Sequence, residues 1–254
     1  MKILLTNDDG IYAPGIRYLA RALKNKGHRL AVVSPDRQRS ASAHSISLHQ
    51  PLRARKVELE SMPEINCFRV SGTPVDCVKL GLNQLIDFTP DLIISGINDV
   101  PNLGYDVLYS GTVSAAVEGW LLGFDSLAVS LFSEKNQEPD YRPAAEYMAL
   151  FLEDELFDLQ RGKRYLFNIN IPQKKNADRL KKKITTLNKC FYNDYYETRI
   201  DPLGDKYYLL GGELEGDYEQ GSDLWALKNG YVSLTPLRIE YTDHDFINKF
   251  KNRK

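Results

Sequence analysis

The sequence predicts an α/β protein: a doubly wound, mostly parallel sheet that continues into a long C-terminal β-hairpin arm and a terminal helix. Three observations lead there. Short all-apolar runs, of the kind buried on both faces of a parallel sheet, alternate with stretches of helical spacing. Several of these runs end in small or acidic polar clusters. Beyond residue 173 the alternation stops and an aromatic, β-prone tail follows, dividing the chain into a core over 1–173 and a C-terminal region over 174–254.

Lys2-Ile3-Leu4-Leu5-Thr6 reads as the first strand and runs into Asn7-Asp8-Asp9-Gly10. After Pro14, the residues Ile16, Leu19, Ala20 and Leu23 repeat along one helical face, and Gly27 stands where that helix should end. Leu30-Ala31-Val32-Val33 is a buried strand stopped by Ser34-Pro35-Asp36, which completes a β-α-β opening. From 37 to about 63 the pattern becomes a polar loop and then extended alternation, read as a hairpin excursion. Thr73-Pro74-Val75-Asp76 opens a helix with Thr73 as N-cap, Pro74 first and Asp76 reaching back.

Leu92-Ile93-Ile94 is the next strand and ends at Ser95-Gly96-Ile97-Asn98. Ser110-Gly111-Thr112 begins a helix rich in small residues, Leu127-Ala128-Val129-Ser130-Leu131 is a strand, and 141 to about 153 is helical. Tyr165-Leu166-Phe167-Asn168-Ile169-Asn170-Ile171 is a strand closed by Pro172. In the tail, the basic stretch 174–183 contains Lys181-Lys182-Lys183, read as a solvated turn. Tyr192, Tyr195, Tyr196, Tyr207 and Tyr208 surround the turn Asp201-Pro202-Leu203-Gly204-Asp205, so the region from 184 to 235 reads as a long hairpin. Its aromatics serve either a subunit contact or a local mini-core against the sheet.

Composition narrows the function. A net charge of −1 over 254 residues argues against bulk-charge attraction to a nucleic-acid polymer or a membrane surface. Cys67, Cys77 and Cys190 are odd in number, far apart and without a C-x-x-C pair, so neither a disulfide framework nor a zinc site is expected. With no signal peptide and no apolar stretch of membrane-spanning length, the expected location is cytoplasmic.

Four polar clusters fall at strand ends or helix starts, and the fold gathers such positions along one sheet edge. Asp8 and Asp9, in a loop just past a strand, supply two hard anionic oxygens suited to Mg²⁺ or Mn²⁺. The alternative is an Asx-type cap on the following helix. Arg37-Gln38-Arg39-Ser40-Ala41-Ser42-Ala43-His44-Ser45 brings hydroxyls, two arginines and a histidine, and Asn98 closes the third cluster. At Ser110-Gly111-Thr112 the free amides of a helix start favour an anion such as phosphate. Taken singly, Ser110 and Asn98 also read as local caps, Ser40 as a turn former and His44 as a surface or packing residue.

The stretch from Met1 to Leu48 resembles the SurE survival-protein family of metal-dependent nucleoside-monophosphate phosphatases. The likeness continues through Ser71-Gly72-Thr73-Pro74-Val75-Asp76-Cys77-Val78, Ser95-Gly96-Ile97-Asn98 and Tyr109-Ser110-Gly111-Thr112-Val113-Ser114-Ala115-Ala116. It resumes at Asn168-Ile169-Asn170-Ile171-Pro172 and Gly230-Tyr231-Val232-Ser233-Leu234-Thr235-Pro236. This resemblance implies a Rossmann-like core and one divalent cation per subunit, held by Asp8, Asp9, Ser40 and Asn98. It implies hydrolysis of nucleoside 5′- or 3′-monophosphates, with short-chain polyphosphate as a further substrate. It also implies a homodimer or homotetramer built through the C-terminal elements. Two departures stand out: Val100 and Ala43 occupy positions where the family usually has glycine, and Asp99 adds a carboxylate after Asn98.

The expected chemistry is metal-assisted hydrolysis of a phosphomonoester. Asp8, Asp9 and Asn98 form its centre, Asn7, Ser40, Ser110, Gly111 and Thr112 hold the phosphate, and His44 is a candidate acid for the leaving oxygen. An aspartyl-phosphate mechanism would need a spaced Asp-x-Asp pair, which Asp8-Asp9 is not. A nucleotide sensor without catalysis is the second reading.

Overall fold

The computed structural model describes residues 1–59, 62–134, 137–154, 164–174, 180–189, 191–215 and 218–251. Cys190, the side chain of Tyr192 and positions 175–179 of the basic stretch lie outside the described residues. The core strands are β1 (Lys2–Thr6), β2 (Arg29–Pro35), β3 (Ala54–Val57), β4 (Asn66–Val70), β5 (Leu92–Asn98), β6 (Asp125–Phe132) and β7 (Leu166–Pro172). Beyond them come β8 (Lys182–Ile184), β9 (Phe191–Ile200), β10 (Lys206–Glu215) and β11 (Val232–Pro236). Helices are α1 (Pro14–Asn25), α2 (Pro74–Leu80), α3 (Gly111–Leu121), α4 (Arg142–Asp154), α5 (Asp223–Lys228) and α6 (His244–Lys251).

Nine strands form one sheet in the order β3-β4-β2-β1-β5-β6-β7-β11-β8. The six strands from β4 to β7 in that order are mutually parallel, whereas β3 and β11 run antiparallel to their core neighbours. Counted along the chain, the parallel strands lie third-second-first-fourth-fifth-sixth, the Rossmann arrangement, whose topological switch falls between β1 and β5. β8 and β11, from beyond residue 173, extend this same sheet.

The doubly wound character is visible in alternate side chains. Ile3 and Leu5 of β1 and Leu92 and Ile94 of β5 join the core that includes α1 and α4. Leu4 and Ile93, pointing the other way, join Cys77 and Val78 of α2 and Ala115 of α3. The residues spaced along one face of α1, Ile16, Leu19, Ala20 and Leu23, are all buried, and Gly27 follows the helix at φ +79°. The capping box of α2 is present as expected: Asp76 N–H donates to Thr73 Oγ1 at 3.1 Å and Thr73 N–H to Asp76 Oδ2 at 2.9 Å.

Three sequence expectations need correction or resolution. Lys182 and Lys183 are not a solvated turn but belong to β8, paired in parallel with β11. Their ammonium groups lie 5.6 Å from the Phe151 ring centre and 5.1 Å from that of Tyr231, respectively. The alternation of a strand sends the two to different aromatic partners. Within the region expected to be β-prone, Asp223–Lys228 is helical, because Ser222 Oγ caps Trp225 N–H at 3.2 Å. The long hairpin is formed by β9 and β10, which pair only with each other, with Tyr196 opposite Leu210. Among its described side chains there is no local mini-core: Tyr195, Tyr196, Tyr207, Tyr208, Leu209 and Leu210 are all exposed. No helix among the described residues is long and apolar enough to cross a membrane.

Candidate active site at the carboxyl end of β1

Thr6 ends β1 beside Ser95 of β5, so the chain leaves the sheet at its topological switch. The turn that follows is built by Asn7. Its Nδ2 donates to Gly10 O at 3.0 Å and its Oδ1 accepts from Gly10 N–H at 3.2 Å. Gly10 takes φ +99°, a conformation that favours glycine. The Asn7 amide, expected on the phosphate, thus braces the loop, leaving Asp8 and Asp9 at its crest. The helix-cap reading of the acidic pair does not hold, since the N-cap of α1 is Ala13, without a side-chain bond, and Pro14 follows it.

Asp8 is fixed from the far end of the sequence. The Thr112 hydroxyl and backbone N–H both donate to its carboxylate, and Gly111 lies so close that a Cβ there would stand 2.8 Å from Asp8 Cβ. Helix α3 therefore turns its amino-terminal end onto Asp8, where the helix dipole favours negative charge. Ser110 does not point to this carboxylate; its Oγ caps Val113 N–H at 3.0 Å. Asp9 accepts from the Asp99 backbone N–H.

Burial pushes the Asp8 carboxyl above its ordinary range against the Thr112 hydrogen bonds. Burial first, then the charges of Asp8 and Asp99, pushes Asp9 up to about 7. Two carboxylates held together away from water call for a compensating cation.

Asn98 arrives through an irregularity in β5. Register with β6 shifts between Ser95 and Asn98, and the Gly96–Ile97 peptide is cis. Such bulges re-aim side chains beside active sites. Asn98 Nδ2 donates to Val100 O at 2.6 Å, which leaves Oδ1 as its free oxygen donor. The loop onward is anchored by residues that sequence reasoning did not single out as site residues. Asn102 N–H donates to Asn170 Oδ1 at 2.9 Å, and Asn168 Nδ2 to Asn102 O at 2.8 Å. Asp223 accepts from Gly104 N–H at 2.9 Å.

The serine-rich loop lies against the same edge. Arg39 N–H donates to Asp8 O at 2.7 Å, placing exposed Ser40 next to the acidic pair, and Ala43 N–H donates to Tyr109 O at 3.0 Å. His44 does not meet the carboxylates but hydrogen-bonds Glu118 of α3, Nε2 to Oε2, at 2.8 Å. Lys79 Nζ donates to the other Glu118 oxygen, also at 2.8 Å. Glu118 is 8% exposed in its side chain, and these two bonds hold its carboxyl below the ordinary range despite burial, which raises it. A signal for Glu118 was present in the sequence: it is the one charged residue in nine successive buried positions of α3. His44 also borders a cavity of about 180 Å³ walled by Val113 and Val117 of α3, Leu237 and Tyr241.

Among the described residues no three His, Cys, Asp or Glu side chains converge as a metal cluster, so a cation here draws on two carboxylates and neutral oxygens. Asp8, Asp9, the free Asn98 Oδ1 and neighbouring Ser40 fit a hard divalent ion by donor type.

The fold and the sequence both have counterparts among known proteins. The family model described as Survival protein SurE matches residues 3–194. A 5′-nucleotidase SurE from Synechococcus sp. (strain JA-3-3Ab) is 48% identical over 95% of this chain and 93% of its own length. Another from Gloeobacter violaceus is 44% identical over 95% of this chain and 91% of its own. The crystal structure of the SurE protein from Aquifex aeolicus superposes with a TM-score of 0.82 at 37% identity, covering 99% of both chains.

Proposed function

The chain belongs to the survival protein SurE family, and from that membership and the β1-end site we propose that it hydrolyses nucleoside 5′-monophosphates, and their 3′ isomers, with one divalent cation per subunit. The observation that carries the reading is the meeting of Asp8 with the start of α3, and of Asp9 with the Asp99 N–H just past β5, at the switch between β1 and β5. Asp8, Asp9, Ser40 and Asn98 would hold the cation, Mg²⁺ or Mn²⁺. When bound, such an ion acidifies a water molecule and offsets phosphoryl charge.

The protein's own part is orientation. Thr112 and Gly111 keep Asp8 in place, while the amino-terminal end of α3 favours phosphoryl oxygens beside it. Asn7 keeps the loop turned through its two hydrogen bonds to Gly10. Glu118 holds the His44 imidazole at the rim of the apolar cavity; on this reading the nucleoside would enter that cavity and His44 would protonate the leaving oxygen. Cys67 and Cys77 are free thiols, in keeping with a cytoplasmic setting. The exposed aromatic hairpin fits an arm that holds further copies of the chain, as a dimer or tetramer.

The test is release of inorganic phosphate from adenosine and guanosine monophosphates, their 3′ isomers and short polyphosphate, across several divalent ions. Asp8→Asn should lower nucleotide turnover about a hundredfold or more while leaving the melting curve cooperative, since even supporting residues of metal sites cost about 10–100-fold. Near-normal turnover in that variant overturns the proposal, and nucleotide binding without release favours the sensor reading.

A further inference from the structure

Beside the acidic loop, where β2 and β4 end, two adjoining cavities of about 420 and 250 Å³ share Asp36, Arg53 and Ser71. Arg37 and Arg39 line the larger, and Arg55 and Arg69 the smaller, so five arginines line one trough with a single acidic residue, Asp36. Asp36 stands 3.6 Å from Arg39, and Arg37, Arg53, Arg55 and Arg69 pair with no acid among the described residues.

The ladder makes this crowding more telling. Arg55 and Arg69 are directly opposite on the antiparallel β3–β4 pair, a placement where like charges repel. Arg53 lies two residues before Arg55 and shares its face. Arg39 Nε is buried without a hydrogen-bond partner, although Nη2 donates to Ser71 O at 2.7 Å. Planar guanidinium groups in such numbers suit phosphate oxygens, which accept their paired N–H donors. No aromatic side chain lines either cavity, so nothing offers a stacking platform for a base.

The trough shares no lining residue with the apolar cavity at His44. With the phosphate at Asp8–Asp9 and the nucleoside in that cavity, a nucleoside monophosphate has no group left for the arginines; this step rests on the function proposed above. We propose that the trough is a second anion site, which takes a free, compact anion bearing two or more phosphoryl groups. Arg39, whose backbone N–H holds the Asp8 carbonyl while its Nη2 reaches Ser71 O at the trough wall, links it to the acidic loop.

The experiment is calorimetric titration of pyrophosphate into the full chain without divalent metal, for the wild type and for Arg53→Gln/Arg69→Gln. The wild type should bind, more weakly as salt rises, and the variant should bind at least tenfold more weakly. Because the variant relieves like-charge repulsion, it should melt no lower than the wild type. Equal affinity in the two proteins, or no binding by either, overturns the proposal.

A second measurement follows adenosine monophosphate hydrolysis with pyrophosphate present and the divalent ion in excess. Noncompetitive action that the variant loses identifies a free anion in a separate site. Competition that the variant loses shows the tail of a substrate reaching from Asp8–Asp9, and overturns the free-anion assignment. Should no nucleotide be hydrolysed at all, the activity proposed above fails, while the metal-free titration still decides whether the trough binds phosphate.

Discussion

At the scale of single residues, Thr112 is the side chain on which Asp8 depends, since both its hydroxyl and its N–H reach that carboxylate. Thr112→Val keeps the shape and the N–H but removes the hydroxyl. It should reduce metal affinity or turnover about 10–100-fold, the usual cost of losing an outer partner of a metal ligand, with little change in melting temperature. Metal titration and phosphate release check both parts. The two departures from the family's glycines differ in kind. Ala43 adopts φ +47° whereas Val100 is not left-handed, so only Ala43 is strained. A left-handed alanine costs about 1–2 kcal/mol, and glycine returns part of this through its freer unfolded chain. Ala43→Gly should therefore raise stability by about 0.5–1 kcal/mol, read from urea unfolding. Asp8 and Asp9 were legible as candidate ligands from their place after an apolar run, and the structure sets them in the loop just past β1. Thr112, 104 residues away, was legible only as a helix start, because nothing local records which carboxylate a helix will meet.

Among the elements, the closest approach is that of α1 to the bulged end of β5. A Cβ on Gly15 would lie 1.9 Å from Ile97 O, a backbone atom that cannot swing aside. Gly15→Ala should destabilise the fold by about 3 kcal/mol, the upper part of the range for overpacking, and displace Asn98 with it. Chemical denaturation together with metal titration separates the two effects. The parallel strands and α1 were readable because each is a local pattern, an apolar run or a repeated face. β8 was not, since its lysines become a strand only by pairing with residues about fifty positions onward. At six residues, α5 is too short to show a helical repeat, and only Ser222 marks its start.

For the molecule as a whole, the sheet satisfies itself while the β9–β10 hairpin does not. Tyr196 and Leu210, cross-strand partners, are 67% and 63% exposed. Phe246 and Phe250 of α6 stack on each other and are also exposed. Exposed apolar side chains grouped in this way suit an interaction surface. On the proposal that the hairpin joins copies of the chain, Tyr196→Lys/Leu210→Lys should bring the mass in light scattering to that of a monomer; a mass equal to the wild type's counts against the hairpin as the arm. The nine-stranded sheet itself invites no such partner. Its two outermost strands are β3, carrying Arg55 and Lys56, and β8, carrying Lys182 and Lys183. Cationic side chains on both open margins discourage a neighbouring chain from adding its own strand there, a protection against fibre growth at high concentration.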